Sequence, residues 1–412
     1  MLKSRTPSQG PKRILLVDCD MFFVQVARLE DPEGAGKEEF LLVGGSSNRG
    51  VITSASYTAR ALGVRSAMPT ARALKLCPQA VVVPVPRSAC VERSQAVRRA
   101  LETLSPVVQA ASIDEFYLDL TGTGRMLKQE PLQATADRIR RTVLEETDIS
   151  VSIGGGTQRV VAKMATRKAK PAGVWVVPAG GEAAFVAEFL LADLPGIGPA
   201  FVEQLKQRGL VSVRDAVAVE RSWLESWFGQ GRGTWLWERV RGIDASEVTA
   251  GDRRKSISSE RTFFQDVDDD DELEARLLKL CSSVASQLRS KEFRARTVTV
   301  KIRDHDFKTR QASVTWPEGI ETDRALYKVA SGLLSQLRQK RRTAVRLLGV
   351  GLSTLVKQAA GRQLALFDGE EELETERDRT ITRAMDRVHE RFGRQSLTQG
   401  RIMGTRDGRV DG

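Results

Sequence analysis

Histidine and cysteine are scarce in this chain of 412 residues, which has two of the first and four of the second. The cysteines, Cys19, Cys77, Cys90 and Cys281, stand far apart without a CxxC pair, and only His305 and His389 are there to join them. That spacing argues against a zinc cluster and a disulfide framework, and it points to a reducing compartment. No apolar run reaches the roughly 20 residues of a membrane-spanning helix, so no membrane partner is expected. Met1 to Lys12 is polar, carries Pro7, Gly10 and Pro11, and lacks the apolar core of a secretory signal; it reads as a frayed tail on a cytoplasmic protein. Neither a repeat of fixed period nor a low-complexity segment is evident.

What is present is length, core-forming residues and positive charge. A chain of this size implies two to four domains, and 41% hydrophobic residues are enough for sizeable cores. Lys plus Arg is 64 against 53 for Asp plus Glu, a net charge of +11. Such a balance fits a polyanionic partner, most often nucleic acid, although many basic proteins bind none.

Strands and helices alternate over the first ~177 residues, the pattern of an α/β domain. Ile14 to Val17 reads as a buried strand ending in Asp18-Cys19-Asp20, with Phe22 and Phe23 on its continuation. Val51 to Ser56 and Val81 to Val83 read as strands, and Tyr57 to Leu62 and Ser88 to Leu104 as helices. Val107 to Leu120 makes two strands around Ser112-Ile113-Asp114-Glu115. Leu132, Ala136, Ile139 and Val143 form one helical stripe. Ile149, Val151 and Ile153 alternate as in a half-buried strand, which Gly154-Gly155-Gly156 closes before a basic helix to Lys168. Pro178 to Gly181 begins a stretch of short helices reaching residue 244, and the polar segment Ala245 to Lys255 reads as a linker. Strands return from Ser256 to Leu355 and frame two helices. On one of them, Val298, Val300 and Ile302 point one way while Lys301 and Arg303 point the other.

Asp18 sits at a strand end, and Asp114 and Glu115 follow 96 residues later (114 − 18). Carboxylates at the end of a buried strand are unfavourable unless paired or bound to a cation. Three at one point would suit magnesium, which takes oxygen ligands, and two such ions can assist attack by a hydroxyl on a phosphate. Taken singly, an Asp at a strand end is a turn or helix cap, and an Asp-Glu pair is solvated.

The words around these carboxylates carry more. Val17-Asp18-Cys19-Asp20-Met21-Phe22-Phe23 and Ser112-Ile113-Asp114-Glu115-Phe116-Tyr117-Leu118-Asp119 resemble the two catalytic motifs of the Y-family DNA polymerases. Gly50 to Arg60 and Gly63 to Pro69 resemble that family's finger segment. The likeness is greatest to the DinB, or DNA polymerase IV, branch and runs from about residue 13 to 355.

The resemblance implies an α/β (α+β) right-hand polymerase. A ferredoxin-like palm would take residues 13–24 and 78–177, fingers 25–77, a helical thumb 178–244, a linker 245–255 and a β-rich little finger 256–356, with tails at 1–12 and 357–412. It implies low-fidelity, distributive synthesis past damage, without proofreading. Asp18, Asp114 and Glu115 would be catalytic and hold two Mg2+ ions, with the peptide carbonyl of Cys19 as a further ligand and Asp20 structural. Phe22, Phe23, Tyr57, Arg60 and Lys163 would bind the nucleotide, Phe23 as the sugar steric gate. Lys170-Pro171-Ala172-Gly173 matches the motif that closes this region. Two departures stand out: Arg167, where relatives often carry an acid, and Cys90, where an aromatic packs under the gate.

Primer-template DNA and dNTPs are the implied partners of a monomer. Gly196 and Gly198, in Leu194-Pro195-Gly196-Ile197-Gly198-Pro199, look like a helix-hairpin-helix whose N–H groups meet a phosphate. Lys301 and Arg303 would lie along phosphates, joined by Lys308, Arg310, Arg341 and Arg342. Trp235 and Trp237 belong to the thumb core, and the acidic run Asp266 to Glu274 should open a helix. Gln363, Leu364, Ala365, Leu366 and Phe367 resemble the peptide that binds the sliding clamp. Ile381, Met385, Val388 and Phe392 form a stripe on a last helix that docks either on this protein or on a partner. Two rivals remain: a catalytically silent polymerase-fold scaffold on the clamp, and a basic repair nuclease. The three carboxylates argue against the first; Phe23 and the Tyr57/Arg60 pair argue against the second.

Overall fold

The computed structural model describes residues 11–46, 49–124, 130–251, 254–357, 373–393 and 396–397. The clamp-like peptide Gln363 to Phe367 lies outside them. The chain divides near residue 252 into two compact units.

The first unit runs β1 (Ile14–Cys19), α1 (Phe22–Glu30), β2 (Leu41–Gly44), β3 (Ile52–Ala55), α2 (Tyr57–Ala61), α3 (Thr70–Leu76), β4 (Val81–Val83), α4 (Arg87–Leu104), β5 (Val107–Ala110), β6 (Glu115–Asp119), α5 (Leu132–Thr147), β7 (Val151–Gly156), α6 (Arg159–Ala169) and β8 (Val174–Val176). Short helices follow: α7 (Glu182–Val186), α8 (Pro199–Lys206), α9 (Val213–Val217), α10 (Arg221–Phe228) and α11 (Gln230–Arg239). β1 is the middle strand of a sheet ordered β5-β6-β1-β7-β8, antiparallel except for the last pair. Leu15, Val17 and Cys19 pack on one side with Cys90 and Val97 of α4 and Ile139 and Val143 of α5. Ile14 and Leu16 face the other side, with Tyr117 and Ala162 of α6. Both faces are covered, which is why β1 and β7 are buried along their whole length rather than alternately. A smaller sheet, β3-β2-β4, carries Leu42 and Ile52 into a core with Ala59, Val64 and Ala73.

Three local readings of the sequence change. Phe22 and Phe23 begin a helix rather than continue a strand. Met21 takes φ 36° and ψ 49°, and this left-handed residue turns the chain out of β1 into α1. Gly154 to Gly156 are themselves the last three residues of β7 rather than a turn that follows it. A Cβ at Gly154 would stand 2.1 Å from the Ala162 carbonyl oxygen, so the missing side chain is what lets α6 lie against the sheet. The start of the polar segment 245–255 is laid on the sheet: Val248 is buried with Ile14, Leu16 and Tyr117, and the Thr249 N–H donates to Gln109 Oε1 at 3.3 Å.

The short helices close on Phe185, Leu194, Phe201, Leu205, Leu224 and Leu236, with Trp235 and Trp237 half-buried against that core. Gly196, at φ 97°, passes so close to Trp235 that a Cβ would meet the indole at 2.7 Å.

The second unit runs β9 (Ser256–Val267), α12 (Asp270–Arg289), β10 (Phe293–Asp304), β11 (Thr309–Ile320), α13 (Asp323–Lys340), β12 (Val345–Lys357) and α14 (Glu376–Phe392). Its four strands form one antiparallel sheet ordered β11-β10-β12-β9. α12 and α13 cover one face, burying Leu277, Val284, Leu326 and Leu334 on Val298, Val300, Ile302 and Val350. The acidic run opens α12, with Asp269 capping the Glu272 N–H at 2.7 Å. α14 packs within this unit, but by its polar side. Glu374, just before the helix, accepts from the Thr322 N–H at 2.6 Å, and Asp386 accepts from Arg289 at 2.6 Å, while Ile381 and Phe392 of the apolar stripe remain 48% and 65% exposed.

Candidate active site

The antiparallel register of β1 and β6 sets Asp18 directly opposite Glu115. Asp114 precedes Glu115, and its carbonyl accepts from the Cys19 N–H at 2.9 Å. Asp18 and Glu115 thus share one end of two neighbouring strands, on the side of the sheet where α6 lies, and Asp114 stands just before β6. Two lysines reach the cluster. Lys170 Nζ is 2.6 Å from Asp18 Oδ1, and Lys163, on α6, pairs with Glu115 and stands 3.7 Å from Asp18 Oδ2. Ser112 Oγ donates to Asp114 Oδ1 at 2.5 Å.

Burial pushes the Asp18 carboxyl above the usual carboxylate range. Lys170 and Lys163 oppose the shift, and the neighbouring charge of Glu115 adds to it. A cation is what such a cluster requires, and the lysine ammonium groups supply it here. Among the described residues no three acidic, His or Cys side chains already close around a single point. The donor set is nonetheless all carboxylate oxygen, the kind that hard divalent cations prefer. Cys19 offers no thiolate, because its side chain is buried in the core and burial holds the thiol well above its ordinary value.

Asp20, two residues on, has a different environment. It is 2% exposed, and its carboxylate accepts from Tyr57 Oη at 2.7 Å, Ser152 Oγ at 2.8 Å, the Ala172 N–H at 3.0 Å and Ser150 Oγ at 3.2 Å. It ties α2, β7 and the turn after α6 to the end of β1. Tyr57 is engaged there, and burial together with that hydrogen bond raises its hydroxyl. Arg60 lies on the same face of α2, its guanidinium carbon 5.3 Å from the Tyr57 ring centre, and donates to the Ala55 carbonyl at 2.9 Å.

Phe22 is buried, whereas Phe23 is half-buried and meets it edge to face at 5.5 Å between ring centres. Cys90 of α4 belongs to the same apolar cluster, and burial raises its thiol to about 11. Arg167 pairs with Asp193 at 2.5 Å. Sequence reasoning placed Lys163 at this site and overlooked the role of Lys170. Its motif was visible, but an approach to Asp18 across 152 residues of chain was not.

The expected DNA-facing residues are spread more widely. Gly198 is the N-cap of α8, with Pro199 in its first turn. In the second unit, Lys301 pairs with Glu260, and the Nε of Arg303 donates to Thr309 at 2.9 Å. Arg310 and Arg341 grip the fully buried Asp304 at 2.9 and 2.5 Å, and Arg341 holds the Asp306 carboxyl down to about 2. Lys308 is 3.8 Å from Asp306, and Arg342 is 3.5 Å from Asp270. The last four are thus occupied largely by the protein's own acids.

Family models match most of the chain. The impB/mucB/samB family covers residues 17–167, its C-terminal domain covers 254–366, and the thumb domain of DNA polymerase-iota covers 192–244. DNA polymerase IV of Caulobacter vibrioides is 34% identical over 395 residues, 96% of this chain and 95% of the relative. That of Desulfatibacillum aliphaticivorans is 37% identical over 380 residues, 92% of this chain and 94% of the relative. Among solved structures, a chimeric Y-family DNA polymerase aligns with TM-score 0.75 and 25% identity, over 84% of this chain and 99% of its own. An insertion ternary complex of Dbh DNA polymerase aligns with TM-score 0.60 and 26% identity, over 84% of this chain and 99% of its own. With relatives this similar over nearly their whole length, the chain belongs to the Y-family DNA polymerases, in the DinB or DNA polymerase IV branch.

Proposed function

We propose that this DNA-directed DNA polymerase extends primers past damaged template through the cluster of Asp18, Asp114 and Glu115. The observation that carries the reading is the β1–β6 register, which sets Asp18 against Glu115 with Asp114 alongside, under two lysines. The three carboxylates and the Cys19 carbonyl would hold two Mg2+ ions. When bound, the ions supply the positive charge that favours ionisation of the primer 3′-hydroxyl and steadies the departing pyrophosphate.

In the reaction the 3′-oxygen forms a bond to the α-phosphorus as the bond to the β-phosphate bridge breaks. Lys163 and Lys170, which neutralise the carboxylates in this structure, stand where they would pair with triphosphate oxygens. Tyr57 and Arg60 complete that cradle from α2. Phe23 lies under the sugar, where a ribose 2′-hydroxyl would clash, and Cys90 backs it with less bulk than an aromatic would. Gly196, Gly198, Lys301 and Arg303 hold the primer-template by its phosphates, which positions DNA without reading sequence. Gln363, Leu364, Leu366 and Phe367 attach the enzyme to the sliding clamp. The setting is cytoplasmic, where chromosome and clamp are at hand.

Primer extension on a primed template with four dNTPs tests the reading. Wild type should extend distributively with Mg2+ and stop in EDTA, and Asp114→Ala should bind DNA but not extend. Extension by Asp114→Ala at the wild-type rate would overturn the assignment of the site.

A further inference from the structure

The sheet face of the second unit that α12 and α13 leave uncovered has a floor of small residues with one charge pair across it. Three strands meet there in register: Glu260 of β9 lies opposite Gly349 of β12, which lies opposite Lys301 of β10. The Glu260 side chain runs over Gly349, where an added Cβ would stand 2.7 Å from Glu260 Cγ, and its carboxylate pairs with Lys301. Gly349 is buried beneath this bridge. The neighbouring row is Ser258, Gly351, Thr299 and Ser313, and the next is Ser256, Ser353, Thr297 and Thr315. Arg303, on the same face, has no carboxylate partner among the described residues. Other ion pairs of this unit serve its packing: Arg310 and Arg341 bind the buried Asp304, and Arg338 binds Asp268 and Asp270 beside α12. Glu260 with Lys301 is different. Both side chains are about one-third exposed, and the pair lies on the open face.

We infer that Glu260 is an internal competitor for Lys301 that limits how tightly this face holds a nucleic-acid backbone. The inference rests on the reading of the chain as a DNA-binding polymerase. A lysine that arrives already neutralised releases no net counterion when it turns to a phosphate, because the carboxylate it leaves collects a cation in its place. Its contribution to affinity and to salt dependence is therefore cancelled. Gly349 makes the device possible: any larger residue at that position would push the carboxylate off its path to the lysine. An enzyme that must leave DNA after short synthesis gains a faster release without losing the basic residue.

The test is fluorescence anisotropy of a labelled primer-template at several salt concentrations. Wild type is compared with Glu260→Gln, Lys301→Gln, the double variant and Gly349→Ala, all checked for unchanged circular dichroism. Glu260→Gln should bind roughly two- to fivefold tighter, the range of one exposed charge pair. Its plot of log affinity against log salt should be steeper by about 0.9, the value for one phosphate contact. The double variant should return to the wild-type slope. Gly349→Ala, which displaces the same carboxylate without removing it, should shift the slope in the direction of Glu260→Gln. A Glu260→Gln slope and affinity equal to wild type, with Lys301→Gln alone flattening the slope, would overturn the inference while leaving the polymerase reading intact. Failure of wild type to bind or extend the primer-template would overturn both.

Discussion

Replacing Asp20 by Asn should destabilise the first unit, whereas the same change at Asp18 should leave its stability nearly unaltered and abolish activity. The Asp20 carboxylate accepts four hydrogen bonds, from Tyr57, Ser150, Ser152 and the Ala172 N–H. An amide retains one acceptor oxygen with room for two of them and turns an NH2 group towards the others. A hydrogen bond to a charged group contributes ~1.5–3 kcal/mol, so two lost bonds come to about 3 kcal/mol at the lower end. The lower end applies because serine hydroxyls can rotate and accept from the new amide. For a unit of this size, that loss lowers Tm by roughly 6–12 °C. At Asp18, neutralisation relieves the burial penalty and the repulsion from Glu115 while releasing Lys170, and these effects oppose one another. Differential scanning calorimetry of both variants decides the matter. A Tm for Asp20→Asn within about 2 °C of wild type would refute the view that this carboxylate is a structural tie, since even one lost bond shifts Tm by more.

Asp304→Ala should destabilise the second unit by about 3–5 kcal/mol in thermal melts, because Arg310 and Arg341 would lose their buried partner. Gly154→Ala should yield little soluble protein on expression, since its Cβ would meet the backbone of α6 at 2.1 Å and neither element can give way. The Asp244 carboxyl would be raised by burial, yet hydrogen bonds from Ser246 and the charge of Arg239 hold it below its ordinary value. Its contribution to stability is therefore complete above pH ~4, the unfolded value, and is lost as pH falls through the lower folded value. Asp244→Asn should flatten the acid side of a Tm-against-pH curve.

What the sequence made legible is what it spells in neighbouring residues. Asp18, Asp114 and Glu115 each lie at or next to a strand end inside a recognisable word, and the antiparallel pairing of those strands sets Asp18 opposite Glu115 with no further information. Contacts set by distant chain were hidden. Lys170 reaches Asp18 only because α6 returns over the sheet, and α6 can do so only because Gly154 has no side chain. The helical start at Phe22 escaped notice because an apolar pair after a buried strand looks like more strand, and the left-handed turn at Met21 leaves no mark in residue type. For α14 the apolar stripe left open whether the helix docks on this protein or on a partner; Asp378, Arg379 and Thr382 are the buried residues, and Asp378, Arg379 and Asp386 pair with Arg324, Glu321 and Arg289 of the same unit. Lys301 is expected to lie along phosphates, and the sequence shows no sign of its ion pair. Its partner Glu260 lies two strands away and is brought over by a glycine between them.

Asp18, Asp114 and Glu115 as the nucleotidyl-transfer centre make a sharp forecast for single-turnover incorporation by Glu115→Gln. With primer-template affinity measured in parallel, the expected result is a rate lowered roughly a hundred- to a thousandfold at unchanged DNA affinity. An undiminished rate of incorporation at saturating DNA would contradict it.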